Sequence, residues 1–559
     1  MRYLAAAVQY DSRLLDKAFN ISQLEAWARR AVEAGARLVV LPEMGTTGYY
    51  LSDRAQAEEL AEEVPNGPTA QHFIRLAREL DCYLVVGLPV REGRRLYNAC
   101  ILVGPEGYWG CHRKVHPYTP DTLWAKNGDQ PTAVYDTPIG RLSMQICMDV
   151  SFPESVRLSR VKGAQVLCVP TCWNEPVMPS AIWQTRAYEN QVAMVVANRH
   201  GTEKGFAFSG HSAVLDQSGA ALAVQEEGDG IALGEIDTEK AADGGELAPR
   251  RPELYAGLQL AQYHWPQDML HTTYSQPPIP SGGVIRAAAG QFQPERGDIG
   301  RNLEQIKELI DRARAGGSTL LVLPELALCG RPESREEAAR AAQKEDGPVM
   351  EQLAGLAAQA GLTLICGLIL QEGEALYNAA VVFAPNGRRL ICRKSHLIPS
   401  EQIWASAGDT PGGWIDLDGS RIGVLVGSEI WTTELPRLLA NDGCDLIAVP
   451  ADLEKCCIPY PKSKTPDTHC HIGRIRANEN NTFVAFSNAR GHSGIFNVDM
   501  FVEPRREVLA ENGTGLVEME MDTRPMLCQN GGWAPNPVRN KMMLGTRQPV
   551  WYDALFELE

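Results

Sequence analysis

Three reactive side chains stand in order along the first third of this chain. Glu43 closes the run ARLVVLPE, Lys114 lies in CHRKVHP, and Cys147 lies in GRLSMQICMDVSFPE. Together they supply what cleavage of an amide carbon–nitrogen bond requires. A thiol attacks, a carboxylate carries a proton to the leaving nitrogen and takes one from water, and an ammonium meets the charge that develops on the carbonyl oxygen. Taken singly, a Glu after a strand is ordinarily a surface carboxylate, and a Cys after Ile is ordinarily core. The reading rests on the three together.

Each of the three ends or follows a short β-rich run. Runs such as ARLVVLPE, CYLVVGLPV and AQVLCVP alternate with helix-patterned segments such as NISQLEAWARRAVEAG and TAQHFIRLARELD. Several runs are apolar on both faces, as strands of a covered sheet are. The expected class is a layered α/β domain, and the chain contains it twice. YLAAAVQY returns as IRAAAGQF, LVVLPEMGTTGY (38–49) as LLVLPELALCGR (320–331), LYNACILVGPEG as LYNAAVVFAPNG, and RAYENQVAMVVANRHG as RANENNTFVAFSNARG. Glu325 follows Glu43 by 282 residues and Lys394 follows Lys114 by 280, so the spacing hardly drifts. Residues 1–258 form one expected domain, 259–284 a linker punctuated by Pro-Pro and Pro-Ser-Gly-Gly, and 285–559 the second domain.

The ordered set strand-Pro-Glu, Arg-Lys-x-His and Ile-Cys-x-Asp-x-x-Phe-Pro-Glu resembles the nitrilase superfamily, the carbon–nitrogen hydrolases. Trp173-Asn174, Arg186-Ala-Tyr-Glu-Asn190, Asn198-Arg-His-Gly201 and RRPELY (250–255) extend the resemblance. It implies two tandem α-β-β-α sandwich domains packed as an internal pseudo-dimer, with Glu43, Lys114 and Cys147 catalytic. It also implies an oxyanion donor at the backbone N–H of Met148 and no cofactor or catalytic metal. The family's supporting Glu, seven residues beyond the lysine, is Asp121 here. That side chain is one methylene shorter, so a small shift or a water is expected to close the gap to Lys114. Tyr49, Trp173 and Asn174 are candidate substrate contacts. Trp124 and Trp404 recur at matching places, which favours packing, and Trp183 follows a strand end with Trp173.

Aligning SRIGVLVGSEIWTTE with GRLSMQICMDVSFPE places Gly427 under Cys147. The second copy therefore keeps Glu325, Lys394 and Glu401 but has no nucleophile, since Ser428 is one residue late. Its expected use is as the other half of the pseudo-dimer. Cys456-Cys457 and His469-Cys470-His471 bracket a Pro/Lys/Ser-rich loop and offer the ligand types of a zinc site. The spacing fits no common ligand pattern, and no metal is expected.

Cys147 is followed by Met148-Asp149, whereas true nitrilases carry Trp-Glu there, and Ser151 stands where carboxylate-binding relatives have Arg. A small neutral carboxamide is the preferred substrate. A nitrile, an N-carbamoyl amino acid and acyl transfer are the alternatives, and a non-catalytic scaffold is the alternative of another class. The net charge of −16 is spread without acidic or basic blocks, which argues against nucleic-acid or membrane partners. The cysteines sit in apolar contexts such as VLCVP, which suits reduced thiols, and a cytoplasmic location is expected.

Overall fold

A polar stripe and an apolar stripe alternate along Lys17–Glu33, and in the computed structural model that segment is a helix capped by Asp16, whose side chain accepts from the N–H of Phe19. Its buried residues Leu24, Ala28 and Ala31 pack on the outer face of a sheet, beside Phe73 and Leu76 of the helix Pro68–Leu80. The structure describes residues 1–175, 178–240, 247–260, 279–459, 469–498, 513–529 and 531–557.

In the first half, one six-stranded sheet runs from edge to edge as Gly230–Asp237, Arg2–Gln9, Ala36–Val40, Tyr83–Glu92, Arg95–Gly104 and Gly107–Arg113. A second runs as Ala221–Gln225, Ser212–Leu215, Ala193–Asn198, Val166–Thr171, Gly140–Met144 and Val134–Thr137. Apolar side chains from both inner faces, among them Ala5, Ala7, Leu38, Val85, Met144, Cys168 and Val195, fill the space between them. The helices Pro153–Val161 and Ala181–Asn190 cover the outer face of the second sheet. Each half is thus an α-β-β-α sandwich. The second half repeats it, with Ile299–Ala315 and Pro348–Ala360 outside one sheet and Glu434–Asn441 and Ile472–Asn480 outside the other. The segment 261–278, within the linker placed at 259–284, lies outside the described residues.

The two halves meet through the second pair of helices from each. Helix Ala181–Asn190 is buried along its whole length apart from Ile182, although its sequence carries Arg186 and Glu189. These charges are satisfied across the junction. Arg186 pairs with Glu479 at 2.5 Å and Arg476 with Glu189 at 2.6 Å, while each arginine also holds its own helix neighbour, Glu189 or Glu479, at 2.6 Å. A second reciprocal set surrounds the first, with Arg157–Glu434 at 3.1 Å and Arg437–Glu154 at 3.0 Å. Residue i meeting j while j meets i is the signature of a two-fold interface, here within one chain.

The segments that follow each sandwich cross over. Tyr255 and Leu258, in RRPELYAGL, pack among Leu435, Leu438 and Leu439 of the second half, and Tyr552 and Leu555, in RQPVWYDAL, pack on Leu158 of the first. Arg547 pairs with Glu154 at 2.7 Å and Arg250 with Glu434 at 3.4 Å. No helix among the described residues is long and apolar enough to cross a membrane.

Removing one member of a buried charge set leaves the rest uncompensated, at a cost of about 3–5 kcal/mol. Arg476→Met is accordingly expected to lower the denaturant midpoint of the full chain by a corresponding amount. An unchanged midpoint would mean that apolar contacts alone hold the halves together.

Candidate active site

The strand Ala36–Val40 runs directly into Glu43, and the chain then turns through Met44, whose φ is +49°. The turn lies flat against the neighbouring strand because that strand has a glycine at the point of contact. A Cβ on Gly87 would stand 2.7 Å from the N of Met44 and 2.9 Å from the Cα of Glu43. Gly367 does the same for Glu325, with a Cβ position 2.6 Å from its Cα. A glycine inside each otherwise apolar strand run, VVGLPV and ICGLIL, is the sequence signal for this close approach.

Glu43, Lys114, Asp121 and Cys147 are all buried. Lys114 Nζ donates to Glu43 Oε1 at 2.7 Å and to Asp121 Oδ2 at 2.7 Å. Asp121 thus reaches the ammonium directly, and neither a shift nor a water is needed. It is held by a three-residue turn, Asp121–Leu123, and accepts from the N–H of Tyr118 at 2.9 Å. Asn98 bridges the two carboxylates, donating to Glu43 Oε1 at 2.7 Å and to Asp121 Oδ1 at 2.9 Å. The sequence reading missed Asn98, although the repeated LYNA, with a polar residue between buried strand positions in both copies, marks it. Glu43 Oε2 accepts from the backbone N–H of Cys172 at 2.9 Å.

Cys147 opens a short turn, Cys147–Ser151, directly after a sheet strand, with φ of +44°. An L-residue is strained there, and such strain is sustained only where the surroundings fix it. Asp149 is the group that fixes it here. Its carboxylate accepts from the backbone N–H of Ile146 at 3.1 Å, Val115 at 3.1 Å and His116 at 2.9 Å. It also meets the rings of His112 and His116, each at 2.9 Å. One buried carboxylate therefore clasps the nucleophile turn to the segment that carries Lys114. Burial opposes its charge, but the two histidines outweigh that and hold Asp149 well below the usual carboxylate range. From the far side, Arg186 donates to the carbonyls of Val150 at 2.9 Å and Ser151 at 3.3 Å.

Two carboxylates share one ammonium in this dry cluster. Burial first, and the Glu43 charge second, push Cys147 up to about 12. Burial first, and then Asp121, raise Glu43, against the opposing pull of Lys114. For Lys114, burial works against the charge, but Asp121 and Glu43 outweigh it and raise the group well above its ordinary value. The arrangement offers a thiol, a basic carboxylate and a fixed positive charge in one desolvated space.

Met148 is the second residue of the nucleophile turn. Tyr49 is buried, with its ring 5.6 Å from Lys114 Nζ and edge-on to Phe208. Trp173 is buried in the core that includes Cys147, its backbone N–H given to Asn198 Oδ1 at 2.7 Å and its ring edge-on to Trp183. Asn174 is exposed, and its carbonyl accepts from Ser209 Oγ at 3.3 Å. Trp124 and Trp404 pack in equivalent apolar clusters.

The second copy preserves the frame and fills the space. Lys394 Nζ donates to Glu325 at 2.9 Å and to Glu401 at 2.6 Å, and Asn378 bridges both carboxylates. Glu429 takes the part of Asp149, accepting from Val426 N at 2.9 Å and Ser395 N at 2.7 Å. At Gly427, with φ of +54°, a Cβ would stand 2.5 Å from both Cδ and Oε1 of Glu325, so a side chain there requires the Glu325 carboxylate to move. Burial resists ionisation of Glu325, but Lys394 and Arg331 overcome it and lower its value. Among the other candidates in this half, the side chains of His469 and Cys470 lie outside the described residues.

The fold and the site define a hydrolase of carbon–nitrogen bonds, of the kind that opens amides or nitriles. The chain belongs to the carbon–nitrogen hydrolase family, whose profile matches residues 4–244 and again 286–518. A nitrilase of Pyrococcus abyssi is 35% identical over 233 residues, 42% of this chain and 88% of that one. An omega-amidase of Homo sapiens is 30% identical over 260 residues, 43% of this chain and 92% of its own length. The crystal structure of an amidase from Nesterenkonia sp., 28% identical, covers 45% of this chain and 94% of that one with a TM-score of 0.39.

Gly427→Cys is expected to create no second reactive thiol. The residue must keep a left-handed backbone, at about 1–3 kcal/mol, and displace Glu325. Alkylation by iodoacetamide, read by peptide mass spectrometry, should leave position 427 unmodified in the folded protein while the thermal midpoint falls. Rapid labelling at 427 would show that the second site is open.

Proposed function

We propose that the N-terminal half hydrolyses a small, uncharged carboxamide to its acid and ammonia through a thioester on Cys147. The observation that carries this reading is the buried hydrogen-bonded set Glu43–Lys114–Asp121 beside a thiol held in a strained turn. Glu43 takes the thiol proton as sulfur attacks the carbonyl carbon. Lys114 and the N–H of Met148 meet the negative oxygen of the tetrahedral intermediate. The carbon–nitrogen bond then breaks, and ammonia leaves with the proton from Glu43. A water gives a proton to the same carboxylate and adds to the thioester. The carbon–sulfur bond breaks, the acid departs, and the proton on Glu43 returns to sulfur. Asp121 keeps Lys114 charged and fixed, while Tyr49, Trp173 and Asn174 are assigned to the acyl side of the substrate. The residues after the nucleophile, Met148-Asp149 in place of Trp-Glu, favour an amide over a nitrile.

The test is intact-protein mass spectrometry during turnover of a panel of small amides, carbamoyl compounds and nitriles. An adduct of the acyl mass on Cys147, absent in Cys147→Ala, is expected from amides. An adduct formed from nitriles alone would move the assignment to nitrile hydrolysis, and none from any compound, with no ammonia released, would remove the hydrolytic reading. Glu43→Gln is expected to lower kcat/KM by ~10²–10⁴-fold, the span of general acid–base catalysis.

The active form in this scheme holds an ionised Glu43 and a protonated thiol. Because Glu43 is raised above its ordinary 4.5, kcat/KM is expected to fall on acidification through a limb that lies above pH 4.5. Because the thiol is pushed up to about 12, it contributes no alkaline limb in the neutral range. A pH–rate profile that shows loss of activity below pH 4.5 only would contradict this assignment of the base.

A further inference from the structure

Beside the closed site of the second half, three metal-ligating side chains converge. Cys456, Cys457 and His471 each offer one ligand atom, and these atoms all lie within 4.8 Å of one another. The strands Cys457–Pro459 and His469–His471 pair antiparallel and set Cys457 directly opposite His471. The fold thereby joins residues whose separation in sequence matches no common ligand pattern. The cluster is private to this half. In the first half Ser180 caps the helix Ala181–Asn190, whereas His471 caps the equivalent helix Ile472–Asn480.

The geometry matches one ion. The two sulfurs are 3.9 Å apart, and two thiolates on a tetrahedral zinc, each at about 2.3 Å, stand about 3.8 Å apart. His471 Nε2 lies 2.9 Å from the backbone carbonyl of His492 and so carries the proton, while Nδ1 accepts from the N–H of Gly473 at 2.9 Å. With Nε2–H given to a carbonyl, Nδ1 is the unprotonated nitrogen, which is the tautomer a metal-binding imidazole takes. Cys456 and His471 are buried, and Phe486 and Phe496 flank the imidazole. The side-chain amide of Asn488 faces Cys456 Sγ at 3.9 Å. Two sulfurs and an imidazole in an apolar shell select zinc over calcium or magnesium, which require oxygen.

We propose that Cys456, Cys457 and His471 bind one Zn²⁺ ion, with solvent in the fourth position of the tetrahedron, and that the ion braces this turn against the catalytic half. On binding, the two thiols release their protons to solvent, and Nδ1 exchanges the Gly473 N–H for the metal. The preceding residue makes the link across the junction. Lys455 Nζ lies 3.5 Å above the ring of Tyr188 and donates to the carbonyl of Ser218 at 3.2 Å, while its own carbonyl accepts from Trp431 Nε1 at 3.0 Å. The role is structural, because the residues assigned to bond cleavage lie in the other half.

The experiment uses the full chain, stripped with chelator under reducing conditions and titrated with Co²⁺ as a spectroscopic probe. One equivalent is expected, with the visible bands of a tetrahedral ion and sulfur-to-cobalt charge transfer of two thiolates, both abolished by one equivalent of Zn²⁺. Cys456→Ser/Cys457→Ser should lose this signal, and Cys528→Ser, at an exposed position, should keep it. In the wild type, Zn²⁺ should protect Cys456 and Cys457 from alkylation at least tenfold and raise the thermal midpoint. Absence of thiolate charge transfer, its survival in the double variant, or equal alkylation with and without Zn²⁺ would overturn the proposal. The alkylation readout needs no variant to fold.

Discussion

Four charges withdrawn from water at the junction of the two halves set the terms for everything around them. Arg186, Glu189, Arg476 and Glu479 form a closed set in which every guanidinium faces two carboxylates, one from each half. Such a set is tolerable only when complete, because a buried ion without its partner costs more than the pair returns. Each arginine therefore takes one of its two counter-ions from the opposite half. The Arg186 guanidinium holds the carbonyls of Val150 and Ser151, at the end of the turn that Cys147 begins, so that turn is held in part through Glu479 of the other half. Arg476 does the same for Ile430 and Trp431 in the second half. The duplication without a second nucleophile has a physical use here. It supplies the complementary charges and the apolar cover that an open sandwich lacks.

Within each half, a buried lysine between two carboxylates is kept, yet the outcome differs. Position 49 is Tyr in the first copy and its counterpart is Arg331 in the second, where the guanidinium pairs with Asp452 at 3.1 Å and adds positive charge near Glu325. Glu43 is raised and Glu325 lowered. A carboxylate that must trade protons with a thiol is served by the first environment, and a fixed counter-ion by the second. Gly427 then lets Glu325 occupy the volume where a thiol would stand. The glycine at 427 and the lowered Glu325 are two sides of one packing difference between the copies.

Much of this was legible beforehand. The repeat, the sandwich class and the set Glu43, Lys114 and Cys147 follow from short segments in fixed order, because strand ends that present reactive groups impose local patterns. Asp121 is visible in the sequence as the acidic residue seven beyond Lys114, but its direct contact with that lysine depends on how far a three-residue turn carries the carboxylate. Asn98, Gly87 and Asp149 were inside quoted segments, but only packing shows that one bridges two carboxylates, one admits the Glu43 turn and one clasps two loops. The likeness of RRPELYAGL to RQPVWYDAL went unread, and the crossing of those tails is a relation between halves that neither segment encodes alone.

The sequence by itself determined which atoms are available for chemistry, that the architecture occurs twice, and that Gly427 stands in the second copy where the first has Cys147. These are properties of residue type and local order. Only the tertiary structure decided the charge states of the site, the closure of the second site and the meeting of Cys456, Cys457 and His471. The reason is that a buried group's ionisation and a cluster's geometry are set by neighbours within a few ångströms. In this chain those neighbours arrive from positions up to hundreds of residues apart.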